Sequence, residues 1–354
     1  MVTFGIGISG LTLGLGQSQQ WGWGSAATLV SLGLGVAGLA AFVAIEPRRR
    51  NTLMKFGLFR HLNFTATAVS QLLAGSIELA TSYLLPFYLL LIVGLAPGPA
   101  GLALIPATVP IIIVAPLAGR WFDRVGGRLP LAVGFLVLAA SCFALVAGFP
   151  AQSLMPLVPG FLLQGVGLGI VLTVNDPTAL GSVPAQDQGQ ASGINDTGEQ
   201  LGGAVGIALF TAVLLHLYFG RLYGSLAERG IKVTPREIQQ GREFVLRAEQ
   251  KGLHQLNLPP RIRNVLGDFE AAHAYAYQLT FVLMGVVAIV GAAVCWLLVR
   301  RADHEMPTGI FSRRSRWIWA TTGEGSGLTR KPTPTTSDRV GRSNPPQPRS
   351  DPGG

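Results

Sequence analysis

Apolar residues gather into eight long runs along this chain, at roughly 2–16, 25–45, 63–93, 97–118, 129–147, 155–175, 199–219 and 274–299. Polar residues fall between the runs. Strands of a membrane barrel are about ten residues long and alternate strictly, and these runs are about twice that length. In hydrocarbon every backbone N–H must find its acceptor within its own segment or around a closed barrel, so runs of this kind predict helices. The pattern therefore predicts an all-α, polytopic membrane protein with about eight transmembrane helices.

The first run is the exception. Residues 2–16 cover only about 22 Å at about 1.5 Å per residue, short of a hydrocarbon core roughly 30 Å thick. The run also opens at Met1 with no polar flank. It reads as a chain that starts partway through a helix, a fragment or a misplaced start.

Charge supports the same partition. Eight of the 27 Lys and Arg residues fall in two short connections, Arg48 to Arg60 and Arg120 to Arg128. Nine fall between Arg221 and Arg263, and ten from Arg300 onward. A cation at a bilayer centre costs about 2.5–3.5 kcal/mol on insertion scales, and here none needs to be there. The basic second and fourth connections belong to the cytoplasm, and the first, third and fifth, which lack Lys and Arg, belong outside. Alternation then leaves both termini cytoplasmic, the location being the cell membrane. The segment 220–272 should be external despite nine basic and six acidic residues, because long loops obey the charge rule weakly. Within it, Arg236 to Lys251 reads as a solvated helix. The tail 300–354 is rich in Pro, Ser, Gly and Arg and reads as largely disordered from 322 onward.

Composition narrows the function classes. Charged residues make up 13% of the 354, too few for a soluble surface of this size. The net charge of +9 lies in loops, one long segment and the tail, which is no nucleic-acid footprint. Cys142 and Cys295 sit inside apolar runs with no CxxC spacing and read as small buried hydrophobes. No metal-ligand cluster, HExxH, GxSxG or P-loop is present, so neither a metal nor an organic cofactor is expected. Gly165-Val-Gly167-Leu-Gly169 lacks the strand that a nucleotide fingerprint requires. An intramembrane enzyme would need polar groups converging at one depth, and only Glu78 is central. No enzyme is expected.

Glu78 is the one acid deep in a run. Thr67, Gln71, Gly75, Glu78 and Ser82 recur at spacings of three and four, forming a polar or small stripe that faces a cavity or a neighbouring helix. There Glu78 can exchange a proton as a cavity opens to alternate sides, attract a cationic substrate, or serve only as a hydrogen-bonded link between helices. Asp176 shares a face with Gly165, Gly169 and Thr173 and is the next candidate for proton coupling or for a substrate cation; otherwise it reads as an interfacial acid ending its helix before Pro177. Asp196 and Glu199 read as acids opening the seventh helix, where its dipole favours them, with Glu199 a third candidate for proton coupling or a substrate cation. His216 reads as interfacial. Gly165/Gly169 and Gly202/Gly206 are small-xxx-small pairs suited to close helix packing.

The most specific motif is Gly119-Arg-Trp-Phe-Asp123-Arg124-Val-Gly126-Gly-Arg128-Leu-Pro. Glycines suit its tight reversal. Asp123 can accept from N–H groups opening the next helix, and Arg124 and Arg128 can bond that carboxylate or facing carbonyls. The result would be a latch that holds one helix packing and breaks in another.

This loop resembles the repeated inter-helix signature of the major facilitator superfamily, through Gly119, Asp123, Arg124, Gly126 and Arg128; Trp121 and Gly127 depart from it. Gly94-Leu-Ala-Pro-Gly-Pro-Ala-Gly101, Ala191-Ser-Gly193-Ile-Asn195, Gln200-Leu-Gly-Gly, Trp21-Gly-Trp23 and Leu58-Phe-Arg60 resemble the fourteen-helix drug–proton antiporter branch (EmrB/QacA type). The resemblance implies helices seven to fourteen of that architecture. A pair (1–45) would join through a basic cytoplasmic linker (46–62) to a C-terminal six-helix bundle (63–299). It also implies proton-coupled efflux of small amphipathic or cationic compounds by alternating access, with the proton gradient as energy source and the lipid bilayer as solvent. The alternatives are a non-functional C-terminal fragment and a half-transporter that needs a separate N-terminal bundle.

Overall fold

In a computed structural model of the chain, residues 2–22, 24–45, 55–228 and 266–300 are described. Two compact units divide the chain, Met1–Ala302 and Asp303–Gly354, and every described residue belongs to the first. The solvated helix expected at Arg236 to Lys251 and the tail from residue 301 lie outside the described residues, as does most of the basic linker.

Every regular element among the described residues is a helix. The long helices are α1 (Val2–Trp21), α2 (Ala26–Ile45), α3 (Leu62–Leu91), α5 (Ile105–Val125), α6 (Arg128–Gly148), α7 (Val158–Leu180), α8 (Gln188–Glu228) and α9 (Leu266–Leu298); a short α4 (Pro97–Leu102) precedes α5. Among the described residues seven spans are long and apolar enough to cross a membrane, with α4 and α5 counted together and α1 contributing a shorter apolar stretch.

Three boundaries correct the sequence reading. Helix α1 has 20 residues, because Gln17 to Gln20 continue it past the apolar run; at about 1.5 Å per residue it is roughly 30 Å long, not 22. Helix α8 has 41 residues, beginning eleven before the expected start and running into the supposed loop. Helix α9 likewise opens at Leu266, inside that loop. In each case polar residues extend a helix whose backbone bonds need no apolar side chain, and apolarity marks only its lipid-facing length.

Helices α1 and α2 pack chiefly on each other, through Gly7, Gly10 and Gly14 against Gly35, Gly38 and neighbouring leucines. The remaining helices form a bundle in which α3 packs on α8, α6 on α7 and α9, and α5 on α7. At the end away from the basic loops, Tyr88, Phe149, Tyr277 and Phe281 form an aromatic cluster with ring centroids 4.7–6.3 Å apart. Its hydroxyls are spent on backbone: Tyr88 donates to the Phe149 carbonyl at 2.7 Å and Tyr277 to the Leu84 carbonyl at 3.0 Å. A second core of Phe135, Leu138, Val171, Val174 and Ala288 fills the basic half. Cys142 and Cys295 are buried free thiols.

Candidate functional site: a polar seam between three helices

Glycines let α3 and α8 meet at backbone distance. Gly202 lies against the Leu72 carbonyl, Gly206 against that of Ser76, and Gly75 against that of Glu199; a Cβ at any of the three would collide with backbone. Gly165 makes the same kind of approach to Ala107 of α5, and Gly169 sits beside Ile111, where a Cβ would lie 3.1 Å from its Cα. Side chains flanking such a seam have little freedom, and the polar ones there must find partners across it.

They do so through a connected set of amides. Asn175 of α7, fully buried, donates to the Thr67 carbonyl at 3.2 Å and to Gln71 Oε1. Its own Oδ1 lies 2.5 Å from the Ser70 hydroxyl. Gln71 then donates through Nε2 to Glu199 Oε2 on α8. One residue along, Asp176 accepts from Asn195 of α8 at 3.2 Å. Asn175 and Asp176 together therefore tie α7 to both α3 and α8. The sequence reading did not single out Asn175; a buried amide directly before Asp-Pro is its one legible signal.

Two roles assigned to the acids are corrected here. Asp176 does not end its helix: α7 continues through Pro177 to Leu180. Asp196 and Glu199 do not open theirs, since α8 starts at Gln188 and Glu199 is its twelfth residue. Three turns from the N-terminus the helix dipole has little hold, because its effect is confined to the first turn. Glu199 is thus a second carboxyl inside the bundle. Glu78 stands two turns beyond Gln71 on α3 and within electrostatic reach of Glu199. It is half-buried, and its Oε2 is buried without a hydrogen-bond partner. Of the stripe, Thr67, Gln71 and Gly75 are buried, while Ser82 is exposed. Thr67 turns its hydroxyl back to the Asn63 and Phe64 carbonyls. His216 is exposed.

The loop motif takes a different geometry from the expected one. Gly119 lies within α5 with open space around it; the reversal falls at Gly126, with φ +77°, and Gly127, which packs on Thr178. Helix α6 has Gly127 at its N-cap and no side-chain cap, so Asp123 does not serve there. Asp123 and Arg124 are exposed, and the ion pair present among the described residues lies elsewhere, between Lys55 and Asp187 at 2.5 Å. Arg128 does reach a facing carbonyl, donating through Nε to Trp296 of α9 at 2.8 Å with its guanidinium 4.5 Å from the indole centroid. Asn63 and Arg300 exchange two hydrogen bonds, of 3.2 and 2.7 Å, which fasten the same end of α9 to α3.

Together these features describe a bundle of membrane-length helices with carboxyls and amides held in its interior. Among the described residues no cluster of His, Cys, Asp or Glu could hold a metal ion. Residues 1–207 match the family model of the Major Facilitator Superfamily, and the chain belongs to that family. It is 31% identical over 283 residues to the tetracenomycin C resistance and export protein of Streptomyces glaucescens, covering 78% of this chain and 52% of that one. It is 28% identical over 302 residues to a tetracycline resistance determinant of Streptomyces rimosus, covering 80% and 85%. The multidrug resistance protein Stp of Mycobacterium tuberculosis is 31% identical over 216 residues, 60% of this chain and 39% of that one. The chain thus spans about half or less of the tetracenomycin and Stp proteins. A solved bacterial homologue of the human lysosomal transporter Spinster, inward-facing and occupied, shares the fold at a TM-score of 0.51, with 15% identity over 83% of this chain and 65% of that one. The chain is thus a multi-helix, membrane-spanning member of the Major Facilitator Superfamily.

Proposed function

We propose that the protein exports small amphipathic or cationic compounds across the cell membrane in exchange for protons, with its C-terminus in the cytoplasm. The observation that carries this reading is the pair of carboxyls, Glu78 of α3 and Glu199 of α8, which flank the glycine seam within electrostatic reach of each other. Glu78 has an oxygen with no protein partner, which leaves it free for a proton, a water or a substrate cation. The resistance and export functions named for the relatives support the export of small compounds. Alternating access follows if the α3–α8 face rocks against a second helix bundle around a midplane cavity. Asp123 and Arg124, exposed here, would then close as a latch in the opposite conformation. Asp176 and Glu199 each accept one amide hydrogen bond, whereas Glu78 has a buried oxygen without a partner, so Glu78 is the first carrier and Glu199, within its electrostatic reach, the second.

The test uses everted membrane vesicles from cells producing the chain, with ethidium as the amphipathic cation. An imposed acid-inside gradient should drive ethidium uptake that a protonophore abolishes. Glu78→Gln should reduce gradient-driven uptake at least tenfold at equal protein level. Uptake at the wild-type rate removes Glu78 from the mechanism.

A further inference from the structure

Amide side chains have a donating and an accepting end, and one fixed carbonyl can set the direction of a whole series of them. In this bundle the fixed point is the Thr67 backbone oxygen, which can only accept. Asn175 lies 3.2 Å from it, so the amino group of Asn175 must face that oxygen. Both Nδ2 protons are then assigned, one to Thr67 and one to Gln71 Oε1, while Asn175 Oδ1 takes the Ser70 hydroxyl. With its carbonyl oxygen occupied by Asn175, Gln71 has no choice of orientation. Its amino group turns to Glu199.

We propose that Asn175 is a positioning residue for Glu199: it holds Gln71 with its N–H donors toward the carboxyl and so fixes what Glu199 is offered across the seam. A committed Gln71 offers that carboxyl only donors, whereas a glutamine free to turn would offer its carbonyl oxygen. Pro177 adds a mechanical element. It has no N–H to give the Thr173 carbonyl, so α7 is weakened immediately beside Asn175. A bend there would withdraw Asn175 from Gln71 and free it to turn. This rests on the assignment of Glu199 to proton coupling, but the orientation stands on bonds that do not depend on it.

The other ionisable groups near Glu199 are few. From α3 it is Glu78, within electrostatic reach. From α7 it is Asp176, held by Asn195. On α8 itself Asp196, three residues back and so a neighbour on the helix surface, is exposed. Helix α9 brings His273 and Tyr277 to the far end of α8, beside Tyr218 rather than Glu199. The described part of α1 carries no charged side chain.

Infrared difference spectroscopy of the reconstituted chain across a pH series tests the proposal without reading transport. The Glu199 carboxyl band is identified by its loss in Glu199→Gln. In Asn175→Leu that band should shift in frequency, because Gln71 no longer holds its N–H donors on the carboxyl. Asn175→Ala, which also removes both donors and adds no charge, should shift it in the same way and serves if the leucine variant does not fold. A band unmoved in a folded variant overturns the proposal. Uptake retained in Glu199→Gln would overturn the coupling assignment while leaving the spectroscopic result standing.

Discussion

At the scale of single residues, the seam separates what a carboxyl does for packing from what it does for charge. Glu199 accepts one hydrogen bond from Gln71, and a glutamine in its place still offers an acceptor of the same shape. Glu199→Gln should therefore melt within a few degrees of wild type in detergent while losing gradient-driven ethidium uptake at least tenfold. Full uptake in that variant would leave Glu199 a structural link and nothing more. Glu78 was legible in the sequence because it stands alone in an otherwise apolar run. The place of Glu199 along its helix was misread because polar residues on both sides of it look like a helix opening. Asn175 was missed because an amide carries no charge to draw attention, and its importance comes from partners on other helices.

Elements tell a similar story. Apolar runs located the cores of the helices, and the glycine pairs at 165/169 and 202/206 were visible as spacing. Their partners were not visible. Only the fold shows that Gly202 rests on the Leu72 carbonyl and Gly206 on that of Ser76. Gly202→Leu must push α8 away from α3, and overpacking of this kind costs about 1–3 kcal/mol. Its melting temperature should fall clearly below that of Gly193→Leu, a position with open space around it. Equal melting temperatures would mean that the seam is looser than described. Helix ends were the least legible part, since α8 extends well past its apolar stretch at both ends. Capping offered no help: the resolved N-caps of α3, α5, α6 and α7 carry no side-chain cap.

At the scale of the whole molecule, the question is which solvent covers the apolar exterior. Ile112 on α5 is 72% exposed, and Ile113, Leu117 and Leu102 are similarly bare. In water such a surface would be an association site, whereas in a bilayer it is ordinary. Ile112→Cys in a Cys142→Ala/Cys295→Ala background should resist a membrane-impermeant maleimide in intact vesicles and react with a lipid-soluble one. Rapid labelling by the impermeant reagent would place α5 outside the membrane. The overall class was legible because hydrocarbon admits so few backbone solutions. The arrangement of α3, α7 and α8 was not, because the amides that join them are separated by more than a hundred residues.

The central claim is an exchange of protons for an amphipathic cation, and proton movement reads it most directly. Everted vesicles loaded with a pH-sensitive dye and acidified inside should lose lumenal protons when ethidium is added outside. Vesicles carrying Glu78→Gln should show only the passive leak. If ethidium accumulates in wild-type vesicles with no accompanying proton loss, the exchange proposed here does not occur.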